Sequence, residues 1–386
     1  MKENQKGRLW VDWLAYGAFM VIILLAYTSA SRFITLVNRG GMLTFFVFLI
    51  LFFNHVDWIQ GLKNREKDLI ICLITGILVI INMFLSKAGP GVIFDIANLL
   101  LLLYLADRIE LDETGVWIIT ASFFLIFLFW IKADGSSYNA NTITIIVFES
   151  AIISALGGAS ILSKWKKEWI ACIYLVVAMV TVTWPIAKKF WGRTTLVAIL
   201  IMLMFLFLIP KVVWSFRKLY YCLIGGIAVA SLVIPAIFTY IYWSCIKQEV
   251  GFPDKLRIFG GREPVWLQYF EAWLKEPWTG IGNDFLGKIP NLRYNSIHNG
   301  LFHILVVYGV LVFLFTVFFL GKKLLKIKTE TMSITKKIGF SIIIAMMCMA
   351  AMESYIVTSF SNVVFFFVLL IIFKEDREAD NTSQLL

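Results

Sequence analysis

Apolar runs of roughly bilayer-spanning length recur along the whole chain, separated by short polar stretches rich in Lys and Arg. The pattern predicts twelve membrane-spanning helices, near 13–30, 41–57, 69–86, 91–106, 115–131, 142–162, 168–184, 194–210, 219–243, 299–320, 337–352 and 356–373. The fourth is interrupted by Asp95 and Asn98 and the eleventh is short, so these two carry the weakest signal. The expected architecture is all-α and polytopic, one integral membrane domain over residues 1–386. Its single long polar interval is 244–298. Inside that interval Pro264 suits a first helical position and Pro277 stops the run. Trp266, Tyr269, Phe270 and Trp273 then share one face of a short amphipathic helix. That face has two sites open to it, the bilayer interface or the transmembrane bundle.

Composition strengthens this picture, with 60% hydrophobic residues. A formal charge of +10 in a soluble chain would suggest nucleic acid. Here the cations sit in short connections between apolar runs, where they orient helices, and nucleic acid is not an expected partner. Lys63, Arg65, Lys67, Arg108, Lys164, Lys166, Lys167, Lys211, Arg217, Lys218 and the Lys322–Lys337 group fall on one side if both termini are cytoplasmic. Segment 244–298 is then extracytoplasmic. Lys2, Lys6 and Arg8 before the first run, with no small-residue cleavage site after it, read as a retained signal anchor. Five scattered cysteines without C-x-x-C spacing indicate neither a disulfide framework nor a metal site.

Candidate chemistry gathers on the outer side. Lys188, Lys189 and Arg193 cluster in the predicted outer loop 185–193, against the positive-inside preference, which suggests a bound anion; anchoring to lipid headgroups is the plainer reading. Arg262 lies before the amphipathic helix, whose N-terminal N–H groups favour phosphate. His298-Asn299 stands at the mouth of the tenth span. Guanidinium forks match phosphate oxygens, so Arg193 and Arg262 can hold a diphosphate, with Lys189, Arg257 and Arg293 as lesser contributors. An imidazole titrates near neutrality, and His298 can accept a proton from an attacking sugar hydroxyl. The structural alternative for His298 is an interfacial histidine beside a span capped by Asn299. His303, five residues on, leaves that face and reads as packed, and His55 as interfacial. The outer acids Glu249, Asp254, Glu263, Glu271, Glu276 and Asp284 form no D-x-D or E-x-D pair, so neither metal nor other cofactor is expected. Among acids within apolar segments, Asp95 with Asn98 reads as interhelical hydrogen bonding. Glu149 should face the bundle interior. Glu353 either orients an arginine or the acceptor sugar, or pairs structurally.

Gly192-Arg193-Thr194-Thr195, Gly261-Arg262-Glu263-Pro264-Val265-Trp266, Pro277-Trp278-Thr279-Gly280-Ile281-Gly282 and His298-Asn299 followed by Tyr308-Gly309 resemble, in this order, the O-antigen ligase and Wzy polymerase family. The likeness covers roughly 185–320. It implies a GT-C-like glycosyltransferase taking glycan from an undecaprenyl-diphosphate-linked oligosaccharide at the outer face of a bacterial inner or plasma membrane, among membrane lipids and other glycan-assembly proteins. It also implies diphosphate contacts at Arg193 and Arg262 and a catalytic base at His298. The leading expectation is a repeat-unit polymerase, the second a ligase onto a lipid or protein acceptor. A polysaccharide-lipid flippase or transporter is the alternative of another class, and no internal repeat between the two halves supports it.

Overall fold

The computed structural model describes residues 2–28, 34–132, 140–214, 216–249, 261–292 and 296–384. Among these residues every regular element is helical. The long ones are α1 (Lys2–Thr28), α2 (Ile34–His55), α3 (Lys67–Ser86), α4 (Gly91–Leu105), α5 (Glu113–Lys132) and α6 (Ala140–Ser163). They continue with α7 (Trp169–Lys189), α8 (Arg193–Leu208), α9 (Arg217–Lys247), α10 (Glu263–Lys275), α11 (Gly300–Leu324), α12 (Ile334–Met352) and α13 (Ser359–Gln384). Each apolar segment read from the sequence holds a helix among the described residues, and α10 is the amphipathic helix of the long interval. Seven helices among the described residues, α3, α5, α6, α7, α9, α11 and α12, are long and apolar enough to cross a bilayer, and the chain is a multi-pass helical membrane protein.

Burial separates centre from rim. In α6, 89% of the apolar window is enclosed by protein, against 22% in α9, whose Val229, Ile237 and Tyr240 stay exposed on an apolar outer wall. The run from Phe360 to Phe373 in α13 is buried throughout. Phe366 and Phe367 wedge against Phe19 of α1, and Phe366 also meets Phe48 of α2 with ring centroids 5.1 Å apart. Asn98 donates from Nδ2 to the Gly41 carbonyl at 2.9 Å, the interhelical bond expected of a polar residue in a span.

The seventh apolar segment runs further than its sequence suggests. A proline lacks an N–H and crowds the preceding turn, so Pro185 would ordinarily interrupt a helix. Instead the helix widens into a π-turn over Ala178–Thr183 and continues to Lys189, with Thr183 Oγ1 donating to the Ala178 carbonyl at 3.1 Å. Lys188 and Lys189 therefore ride the last turn of α7 rather than an open loop.

At 1.5 Å per residue, the 15 residues of α4 reach only about 22 Å, short of a full span. Segment 277–283 lies beside the start of α4, where Asn283 Oδ1 accepts from Gly89 N at 3.1 Å, and meets α11 where that helix breaks at Gly309 (φ 78°). The break frees backbone groups, which are costly to leave unpaired inside a membrane. Ile281 and Gly282 donate to the Val306 and Val307 carbonyls at 2.9 and 3.1 Å, and Val310 donates to the Pro277 carbonyl at 2.9 Å. A Cβ on Gly309 would stand 2.2 Å from the Trp278 carbonyl oxygen. Gly309→Ala is expected to cost more than about 2 kcal/mol, from a positive φ and a backbone clash together. Thermal unfolding in detergent checks this, and an unchanged midpoint would contradict the packing described.

At the end of the bundle opposite His298 some of the cations are paired with acids. Lys323, almost fully buried, lies 2.7 Å from Asp107 and 3.0 Å from Asp68, and Arg108 joins Glu66. His55 bonds Asp12 at 2.7 Å, so it is a packed partner of α1 as much as an interfacial residue.

Candidate functional site

Five elements end around one carboxylate. Glu353 caps the C-terminus of α12 with only 4% of its surface exposed. Its Oε2 lies 2.7 Å from Nδ1 of His298. Its Oε1 accepts from Arg262 at 2.5 Å, from Asn141 in the first turn of α6 at 3.0 Å and from Thr194 in the first turn of α8 at 3.4 Å. Arg262, at the start of α10, also donates to the Met352 carbonyl. A carboxylate only accepts, so Nδ1 of His298 is the donor, and in a neutral ring Nε2 is the nitrogen with the lone pair. Two of the five guanidinium donors of Arg262 are engaged in these bonds, leaving the others for a ligand. The His298 and Arg262 side chains remain partly open, 23% and 18% exposed, while Glu353 beneath them is closed off.

The loop that presents His298 is held on both sides. His298 has φ 52°, a left-handed backbone that is uncommon outside glycine and persists only where neighbours enforce it. Before it, the Trp266 indole N–H donates to the Ile297 carbonyl at 2.8 Å. After it, Asn299 caps α11 by accepting from Phe302 N at 2.9 Å, and its amide donates to the Ser231 and Ala351 carbonyls at 2.5 and 2.9 Å. Gly300 completes the fit, because a Cβ there would meet Ile356 Cγ2 at 2.4 Å. Asn299 is thus a buried structural anchor that ties α9, α11 and α12 together beside the histidine. Gly192 does a comparable service for α8, whose first turn lies so close to α6 that a Cβ would meet Thr144 Oγ1 at 2.5 Å. Thr195 Oγ1 bonds the same threonine hydroxyl at 2.9 Å.

The aromatic face of α10 packs on the bundle rather than lying in the bilayer interface. Trp266 and Tyr269 are buried, and the helix rests against α9 and α11. This orientation brings Arg262 down onto Glu353.

Of the residues singled out in the sequence, the structure joins His298, Arg262 and Glu353 directly. Arg193 is exposed at the first position of α8, one residue from Thr194 and so at the rim of the same cluster. Lys189 is exposed at the end of α7, with its ammonium 5.2 Å from the Phe190 ring centre, and does not reach Glu353. Arg257 and Arg293 lie outside the described residues. His303 packs edge-on to Phe285, away from the cluster, as its helical offset suggests. Asn141 and Thr194 were not singled out as contributors; their only signal is a polar side chain in the first turn of an apolar helix. No protein-family model, curated protein or solved structure matches the chain.

Proposed function

We propose that this chain is a metal-independent, inverting membrane glycosyltransferase that polymerises lipid-linked polysaccharide repeat units for a capsule, exopolysaccharide or O-antigen. The observation that carries the reading is the His298–Glu353–Arg262 cluster, with Arg193 at its rim. In this account all twelve apolar helices cross the membrane in a GT-C-like arrangement. Both termini are cytoplasmic, and the cluster faces outward from a bacterial inner or plasma membrane.

The donor is the growing chain on undecaprenyl diphosphate, and the acceptor is the non-reducing sugar of a new lipid-linked unit. Nε2 of His298 takes the proton of the acceptor hydroxyl as its oxygen attacks the anomeric carbon. The carbon–oxygen bond to the diphosphate breaks, the electron pair leaves with undecaprenyl diphosphate, and the anomeric centre inverts. Arg262 and Arg193 bind the departing diphosphate, whose charge is largest as that bond opens. Glu353 holds the Nδ1–H tautomer of His298 and stabilises the imidazolium that forms. The Arg262 guanidinium is the standing charge partner of Glu353 on its other oxygen. Ligation onto a lipid or protein acceptor uses the same bond changes, and the family resemblance that motivates polymerisation includes both.

Arg193 supplies a test that leaves the Glu353 cluster intact, since its side chain is exposed and makes no polar contact among the described residues. Arg193→Ala is expected to insert normally and to reduce long polymer by about 10²-fold or more, the scale of losing a charge-stabilising donor at the leaving group. Arg193→Lys should recover only part, because an ammonium lacks the bidentate fork. Size-resolved glycan from membranes with equal protein content reads the result. Full-length polymer from Arg193→Ala sinks this assignment.

A further inference from the structure

A second polar site lies inside the bundle, away from the Glu353 oxygens. Glu149 sits nine residues into α6, about 14 Å from the helix start, and is fully buried. Its two oxygens accept one hydroxyl, Ser361 Oγ, at 2.9 and 3.1 Å. Next to Ser361, Asn362 is 1% exposed, and both its amide nitrogen and its amide oxygen lack a partner among the described residues. Glu149, Ser361 and Asn362 line one cavity of about 20 Å³, together with Met346 and Met349 of α12 and Tyr355. No Lys, Arg or His lines it, and Tyr355 is the other titratable side chain on its wall.

We propose that this cavity is a one-water site in which Glu149 stands as a neutral carboxylic acid, with the water joining it to Asn362. The volume suits one water, and buried waters answer polar groups that the chain itself leaves unpaired. An ionised Glu149 would have one hydroxyl and the first turn of α13 to replace its whole hydration shell, with no cation beside it; a carboxylate in that position is strongly disfavoured. A neutral carboxyl donates as well as accepts. It therefore donates to the water, which in turn donates to Asn362 Oδ1 and accepts from the amide N–H. The three walls, α6, α12 and α13, also carry or flank Asn141 and Glu353. The site thus shares its helices with the Glu353 cluster without depending on what that cluster does.

Infrared spectroscopy of the full chain in lipid, exchanged into D₂O near neutral pH, tests this without any substrate. The carbonyl stretch of a protonated carboxylic acid is expected, and it disappears in Glu149→Gln, which keeps the neutral shape and folds with an unchanged thermal midpoint. Asn362→Leu removes both unpaired amide atoms and the partner of the water. There the stretch moves to higher frequency as a hydrogen bond is lost, and stability is retained or raised. A spectrum without that band in the wild type, or a band unmoved in Asn362→Leu, overturns the proposal. The second variant decides the matter even if Glu149→Gln does not accumulate.

Discussion

Replacing His298 by alanine is expected to lower glycan transfer by roughly 10²–10⁴-fold while leaving the protein folded and donor binding intact, the range attributable to a positioned general base. Folding should survive because the loop is held by its neighbours. The Trp266 indole, the Asn299 cap and the close seat of Gly300 all stand without the imidazole. Alanine also removes one hydrogen-bond donor to Glu353 but leaves Arg262, Asn141 and Thr194 on the same carboxylate. The loss therefore belongs to the turnover rate rather than to KM or to the thermal midpoint. A variant that binds donor normally and still extends glycan at the wild-type rate would remove His298 from the mechanism.

Glu353→Gln is expected to damage both stability and rate. The carboxylate meets a donor at each oxygen, and an amide has one oxygen and one NH₂, so one of Arg262 or His298 would then face a donor. Arg262 also loses its countercharge in a pocket where its side chain is only 18% exposed. Breaking such a pair from one side should cost about 2–3 kcal/mol, somewhat below the range for wholly buried pairs. The rate should fall about 10–100-fold, as for other carboxylates that orient a histidine. Glu353 acts through its partners and is a positioning residue, so the useful readout is coupling. In a double-mutant cycle with Arg262→Met, the second substitution should cost much less once the first is present. Additive effects, or a Glu353→Gln protein with wild-type midpoint and rate, would deny Glu353 the role of hub.

Much of this was legible along the chain, for reasons that differ by residue. Helix positions followed from apolar runs, because a span must satisfy its backbone internally. His298-Asn299 stood out because polar groups at the mouth of an apolar run are costly without a use, and the face of α10 followed from the spacing of Trp266, Tyr269, Phe270 and Trp273. What periodicity does not encode is which helix mouths meet. The partners of Glu353 are 55, 91, 159 and 212 residues away in sequence, and each contact depends on how helices pack. The same limit left two sites open for the aromatic face of α10, which the structure seats on α9 and α11. The seventh segment, read as 168–184, runs on to Lys189 because a π-turn before Pro185 absorbs the defect that normally ends a helix. The pairing of segment 277–283 with the break at Gly309 had no local signal beyond its glycines, because the bonds that justify it cross from one part of the chain to another.

The most direct test of the central claim uses the purified protein in lipid, given undecaprenyl-diphosphate-linked repeat unit in the presence of a chelator, with the glycan products resolved by size. The account predicts a ladder of lengthening chains that persists in chelator and is lost with His298→Ala. Unextended substrate, or a ladder that vanishes on chelation and returns with a divalent metal, would contradict it.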